Sequence, residues 1–274
     1  QMPRWLAERA QGAAAYNVPT AYRLDGPVDE GALERALAGL YDRHEGLRTR
    51  LTAYGDEPVQ EILPPGGFRL ERRSAVGLAD DALDALLTAE AARPFALDAE
   101  APFRATLFTL GPDARLLLLV IHHTACDGTT GTLLVRELEA GYRGTALRAP
   151  AVQPADIALW QHACRDGGIF DAALDGWRAD LAGAPMHLNL PRPAGAAAGE
   201  TAASRAGRVP VALPPDDLAR LDALAREGRA TLPMALMAAW ALLLSRATGQ
   251  DDLLIGIPAA ARVRREMEET AGFL

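Results

Sequence analysis

Hydrophobic residues in this chain follow two spacings, and the switch between them marks its elements. From Leu116 to Ile121 the chain is apolar without a break (LLLLVI), which predicts a strand over 115–122 buried on both faces. Asp127-Gly128 then reads as a turn, and Leu133, Leu134, Leu138 and Tyr142 recur at helical spacing within 129–142. The order is strand, tight turn, helix. Upstream, 18–24 reads as a strand and Asp29 as the cap of a helix carrying Leu33, Leu37 and Leu40 on one face. Further strands are expected at 47–53, 57–63, 104–110, 208–213 and 252–257, and helices at 80–92, 155–164, 170–181, 214–227 and 233–247. Helices and strands mix without strict alternation, which favours an α/β fold of the α+β type over a doubly wound parallel sheet. The Pro-, Gly- and Ala-rich stretch 191–199 is the clearest linker and divides 1–190 from 200–274.

The apolar strand delivers His122, His123 and Asp127 to one turn. Side chains alternate along a strand, so the two histidines point apart and cannot share one role. A metal site needs three or four converging ligands, and no Cys-x-x-Cys or His-Glu-x-x-His accompanies them, so no metal is expected. No G-x-S-x-G elbow surrounds Ser74, Ser204 or Ser245, which argues against a serine triad. Cys126 is read as a small buried hydrophobe rather than a nucleophile. What remains is one imidazole acting as base or hydrogen-bond acceptor, and His123 is the candidate. Asp127 is expected to tie down the loop through a buried arginine. Gly128 would permit a positive φ or the close approach of a substrate, and backbone amides beside it are candidate oxyanion donors. The plainer alternative makes both histidines core residues and Asp127 a helix cap.

His122 to Gly128 fits HHxxxDG, and the chain here resembles the condensation domains of nonribosomal peptide synthetases. Arg43 to Thr49 (RHEGLRT) looks like the family's RHExLRT, Gln1 to Leu6 like the tail of its opening motif, and Asp156 to Gln161 like YxDxAxWQ with Pro154 at the tyrosine. Trp177 stands where the family has YW, Ile255 to Arg262 resembles IGxPxAxR, and Ala271 to Leu274 resembles the start of GFxVNT. The resemblance covers essentially the whole chain. The family pattern continues further, so the second lobe (200–274) is expected to be incomplete.

The resemblance implies a chloramphenicol acetyltransferase-like lobe, a two-layer sandwich, followed by part of a second similar lobe. It implies amide-bond formation between a donor acyl or peptidyl thioester and an acceptor aminoacyl amine. Both would ride on phosphopantetheine arms of upstream and downstream carrier proteins, beside an adenylation domain, with no cofactor bound by the domain itself. His123 would be catalytic and His122 and Asp127 structural, with Arg48 or Arg262 paired to Asp127 and Arg43 and Trp177 supporting. RHEGLRT resembles the subtype taking an L-configured donor and argues against an epimerization domain, while His122 disfavours heterocyclization, whose members carry aspartate there. A freestanding acyltransferase using coenzyme A or a carrier thioester, and a catalytically silent docking domain, stand as alternatives.

Composition narrows the rest. A chain of 274 residues, 49% hydrophobic, can bury a substantial core. Its net charge of -8 argues against nucleic acid as a partner. The chain has no lysine, which excludes a Schiff base and a P-loop. Two cysteines, Cys126 and Cys164, make no disulfide framework, and a reducing cytoplasm is expected. The longest apolar stretch, 232–244, contains Pro233 and is too short to span a membrane.

Overall fold

The computed structural model describes residues 16–55, 57–191 and 209–274. Two compact units emerge: the first runs to Ile169 and takes in Ala259–Leu274, and the second is Phe170–Pro258. Of the linker expected at 191–199, residues 192–199 lie outside the described residues, and so does the opening motif at 1–6.

The first unit is built on a four-stranded sheet. Its strands are β1 (Asn17–Asp25), β4 (Glu71–Ser74), β5 (Phe103–Gly111) and β6 (Ala114–His122), in the order β1-β6-β5-β4. β6 is antiparallel to both neighbours, and β4 runs parallel to β5. A separate hairpin joins β2 (Thr49–Tyr54) to β3 (Glu57–Ile62).

β6 is buried on both sides, as an unbroken apolar run requires. Leu117, Leu119 and Ile121 join one cluster with Leu33, Leu37 and Leu40 of α1 (Glu30–Arg43) and Leu133 and Leu134 of α3 (Gly128–Tyr142). Leu116, Leu118 and Val120 join the other, with Phe95, Leu97 and Phe108, and α2 (Asp80–Ala91) packs against it through Leu83, Leu86 and Leu87. Asp29 caps α1 as expected, its carboxylate accepting from Ala32 N. α1 buries Leu33, Ala36, Leu37, Leu40 and Tyr41, one stripe at helical spacing. α4 (Pro154–Asp166) follows, with Gln153 N donating to Asp156 in a capping box.

Three expectations differ from the structure. The strand read from Leu47 starts only at Thr49, because Glu45–Arg48 forms a turn of 3₁₀ helix. The short, charged β4 was not anticipated. Residues 209–213 and 252–257 form no strand among the described residues, and Val209, Val211 and Ile257 are exposed. β-branched residues favour a strand only where a neighbour completes its ladder. The second unit contains α5 (Asp171–Asp180), α6 (Pro215–Glu227) and α7 (Leu232–Thr248), the helices expected there. No single helix among the described residues is long and apolar enough to cross a membrane.

Candidate active site

The end of β6 separates the two histidines as strand geometry demands. His122 shares the parity of Leu116, Leu118 and Val120, is fully buried, and lies edge-on to Phe95 at 6.1 Å. Its Nδ1 accepts from Thr124 N at 3.2 Å and meets Thr124 Oγ1 at 2.9 Å. A neutral ring held this way carries its proton on Nε2. His123 is half-buried. Its backbone N–H donates to Tyr16 O, and its ring stands edge-on to Phe273, centroids 5.4 Å apart and planes at 88°. Nδ1 of His123 is buried and has no hydrogen-bond partner among the described residues, which leaves Nε2 as the nitrogen that meets solvent.

Ala125 N turns back to His122 O, and Cys126, 3% exposed, packs in the core as a small hydrophobe. Asp127 then caps α3. Its Oδ1 accepts from Thr129 N (3.1 Å), Thr130 N (3.0 Å) and Thr130 Oγ1 (2.9 Å). Its Oδ2 takes Arg262 Nη1 at 2.6 Å. Arg262 Nη2 donates to Thr270 O at 2.9 Å, which ties the returning segment to the loop. Burial alone would raise the Asp127 carboxyl, but the Arg262 and Thr130 hydrogen bonds outweigh it and hold the group below its ordinary value. Asp127 is thus both the helix cap and the arginine-tethered anchor that the sequence offered as alternatives.

Of the two arginines considered for Asp127, Arg262 is the partner and Arg48 is not. Arg48 donates to Asp42 O and Leu63 O and lies 3.8 Å from Glu45 Oε1, so it fastens the base of the β2–β3 hairpin. The two were indistinguishable in sequence because both pairings span long loops. Gly128 begins α3 without a positive φ, so its conformational freedom is not used, and a Cβ there would meet nothing within 4 Å among the described residues. The Thr129 and Thr130 amides are spent on Asp127 and are not available as oxyanion donors. Trp177 lies on α5 in the second unit and is exposed.

A second buried cluster holds the other motif. Glu137 lies on the buried stripe of α3, with Thr130, Leu133 and Leu134. Arg43 Nε and Nη2 grip its two oxygens at 2.9 and 3.2 Å, and His44 Nε2 meets Oε2 at 2.7 Å. Burial raises the Glu137 carboxyl, but His44 and then Arg43 draw it below the usual range. Gln153 links this corner to α4, its Nε2 donating to Arg43 O and its Oε1 accepting from Glu45 N. Arg43 is therefore a strut between α1 and α3.

Sequence reasoning missed Thr130, Glu137, Thr270 and Phe273. Thr130 was accessible, since it stands three residues after Asp127 at capping-box spacing. Glu137 was also visible as a carboxylate on a core stripe. The contacts of Thr270 and Phe273 depend on a return of the chain that no local signal records.

A histidine pair at the end of a buried strand, followed by an arginine-anchored aspartate on this mixed α/β frame, fits one class: the chain belongs to the condensation domain family, whose model matches residues 1–274. It is 35% identical over 285 residues to malpibaldin synthetase of Mortierella alpina, covering 100% of this chain and 5% of that synthetase. The X-domain from teicoplanin biosynthesis superposes with a TM-score of 0.87 at 28% identity, covering 99% of this chain and 62% of that one. The same kind of domain in a complex with OxyB gives 0.82 at 29% identity, covering 94% and 58%. The chain thus spans a small part of the synthetase and about three-fifths of the solved domains.

Proposed function

We propose that this domain joins a donor acyl or peptidyl thioester to the amine of an acceptor aminoacyl group, both presented on the phosphopantetheine arms of carrier proteins. The amine nitrogen attacks the thioester carbonyl, the C–S bond breaks, the thiol leaves, and the amine loses a proton as the amide forms. His123 is the catalytic residue of this reading, and its half-buried ring just past the end of β6, with Nδ1 turned inward, carries the proposal. His122, Asp127 and Arg262 shape the turn that presents it.

A weak base suffices. An α-amino group with a pKa of about 7.7–8 is already roughly one-tenth neutral at pH 7. Holding amine and thioester in line contributes about 7–11 kcal/mol, and general-base help about 10²–10⁴-fold. Alignment is the larger contribution. The open space over Gly128 is where the reacting groups fit, and the Gly128 N–H, rather than those of Thr129 and Thr130, is the remaining oxyanion donor at the helix start. The partners of this reading are an upstream donor carrier, a downstream acceptor carrier and a neighbouring adenylation domain, in the cytoplasm.

One observation favours a second reading, a docking platform for a partner enzyme: a similar X-domain was solved in a complex with OxyB. The complete domain, mixed with an acyl-loaded donor carrier and an aminoacyl-loaded acceptor carrier, separates the two. Under our reading the intact mass of the acceptor carrier rises by the acyl group. Transfer from acyl-coenzyme A alone would support a freestanding acyltransferase, and no transfer across several substrate pairs would support docking.

A further inference from the structure

We propose that Phe273 is a positioning residue that sets the ring plane of His123. The proposal deepens the reading of His123 as the reacting imidazole and rests on it. A working histidine commonly has one ring nitrogen held by a carboxylate or carbonyl, so that the other points at its target. Here the inner nitrogen, Nδ1, is buried without a hydrogen-bond partner among the described residues. The carboxylate of the same loop is committed elsewhere: Asp127 to Thr129, Thr130 and Arg262. Orientation must come from packing. The ring contact His123 makes is with Phe273, at 5.4 Å and 88°, a geometry that aromatic pairs favour because the positive edge of one ring meets the negative face of the other.

Phe273 can serve as a reference only if its own position is fixed, and the preceding residues are gripped from three sides. Thr270 and Ala271 are fully buried. Thr270 Oγ1 donates to Val152 O at 2.8 Å, and its carbonyl accepts from Arg262. Gly272 N donates to Thr130 Oγ1 at 3.2 Å. That hydroxyl has one proton, and the shorter contact, to the charged Asp127 at 2.9 Å, takes it. The backbone is also wedged: a Cβ on Gly46 would lie 2.8 Å from Ala271 O, and one on Gly272 would lie 2.8 Å from Pro154 Cγ. The aspartate loop, Thr130 and Phe273 thus form one connected support under His123.

The test uses the complete domain with histidine labelled for NMR, and His123→Gln to assign the His123 signal. Phe273→Leu keeps an apolar side chain and removes the ring. We expect it to shift the His123 ring signals and to lower kcat by about 10- to 100-fold, the cost of a small misplacement, with KM held within about twofold. Phe273→Tyr should keep both near wild type. Unchanged His123 signals in Phe273→Leu, or an effect confined to KM, would overturn the proposal, as would a Tyr variant as impaired as the Leu one. Should Phe273→Leu fail to fold, Thr130→Val against Thr130→Ser decides by the same signals: Val should move them and Ser should not, and equal spectra would overturn it. If wild type forms no amide with any pair, the reading of function fails, while the NMR signals still decide whether Phe273 positions the ring.

Discussion

Replacing Arg262 with methionine keeps the length of its side chain and removes the guanidinium. Asp127 Oδ2 loses its 2.6 Å partner and Thr270 O its 2.9 Å donor, while the three bonds to Oδ1 survive. Both side chains are largely shielded, at 5% exposure for Arg262 and 15% for Asp127. Removing one partner of a buried pair costs about 3–5 kcal/mol. Because the cap on α3 remains, we place Arg262→Met at the lower end, about 3 kcal/mol. The cost should also depend on pH. A carboxyl whose pKa is lowered by folding binds fewer protons folded than unfolded, so its stabilisation is present above the unfolded pKa and is lost as pH falls through the folded one. Without Arg262, the strongest contact that lowers the Asp127 carboxyl is gone and the group protonates more readily. The gap between wild type and Arg262→Met should therefore shrink from pH 7 to about pH 4, near the unfolded carboxylate value. Urea unfolding of the complete domain by far-UV circular dichroism at both pH values measures it. A cost under about 1 kcal/mol at pH 7, typical of an exposed pair, or a gap that does not change with pH, would refute the reasoning.

Three further outcomes follow from the same contacts. In double-mutant cycles read by urea unfolding, Asp127→Asn with Arg262→Met should be non-additive by about 0.5–3 kcal/mol, whereas Asp127→Asn with Arg48→Met should add within about 0.5 kcal/mol. Glu137→Gln leaves Arg43 and His44 without their buried anion and should cost about 3 kcal/mol near neutral pH; since the Glu137 carboxyl is held low, that cost should diminish on acidification, in a urea series across pH. Gly46→Ala drives a methyl against Ala271 O and should cost about 1–3 kcal/mol; Gly128→Ala meets open space and should change stability by less than about 1 kcal/mol. Thermal melting compares the two.

The elements around the site were legible because each depends on local sequence. The apolar run 116–121 specified a strand buried on two faces, and parity along it separated His122 from His123. Asp127 and the leucines after it specified a capped helix with one buried stripe. What escaped was long-range. Nothing local to Arg48 or Arg262 reveals which reaches Asp127, because the observed pair is 135 residues apart in sequence. The segments 209–213 and 252–257 carry strand composition but find no ladder partner among the described residues, so composition alone misled. β4 escaped for the opposite reason: Glu71–Ser74 is short and charged, yet β5 beside it supplies the hydrogen bonds.

The central claim is that His123, and not its neighbour, is where the amide forms. Single-turnover transfer between loaded carriers, followed by intact mass for wild type and His123→Ala with circular dichroism on each, tests it most directly. The account predicts a folded His123→Ala domain whose amide formation falls by at least about 10²-fold, the lower bound of general-base help. A folded His123→Ala domain that forms amide as fast as wild type would contradict it.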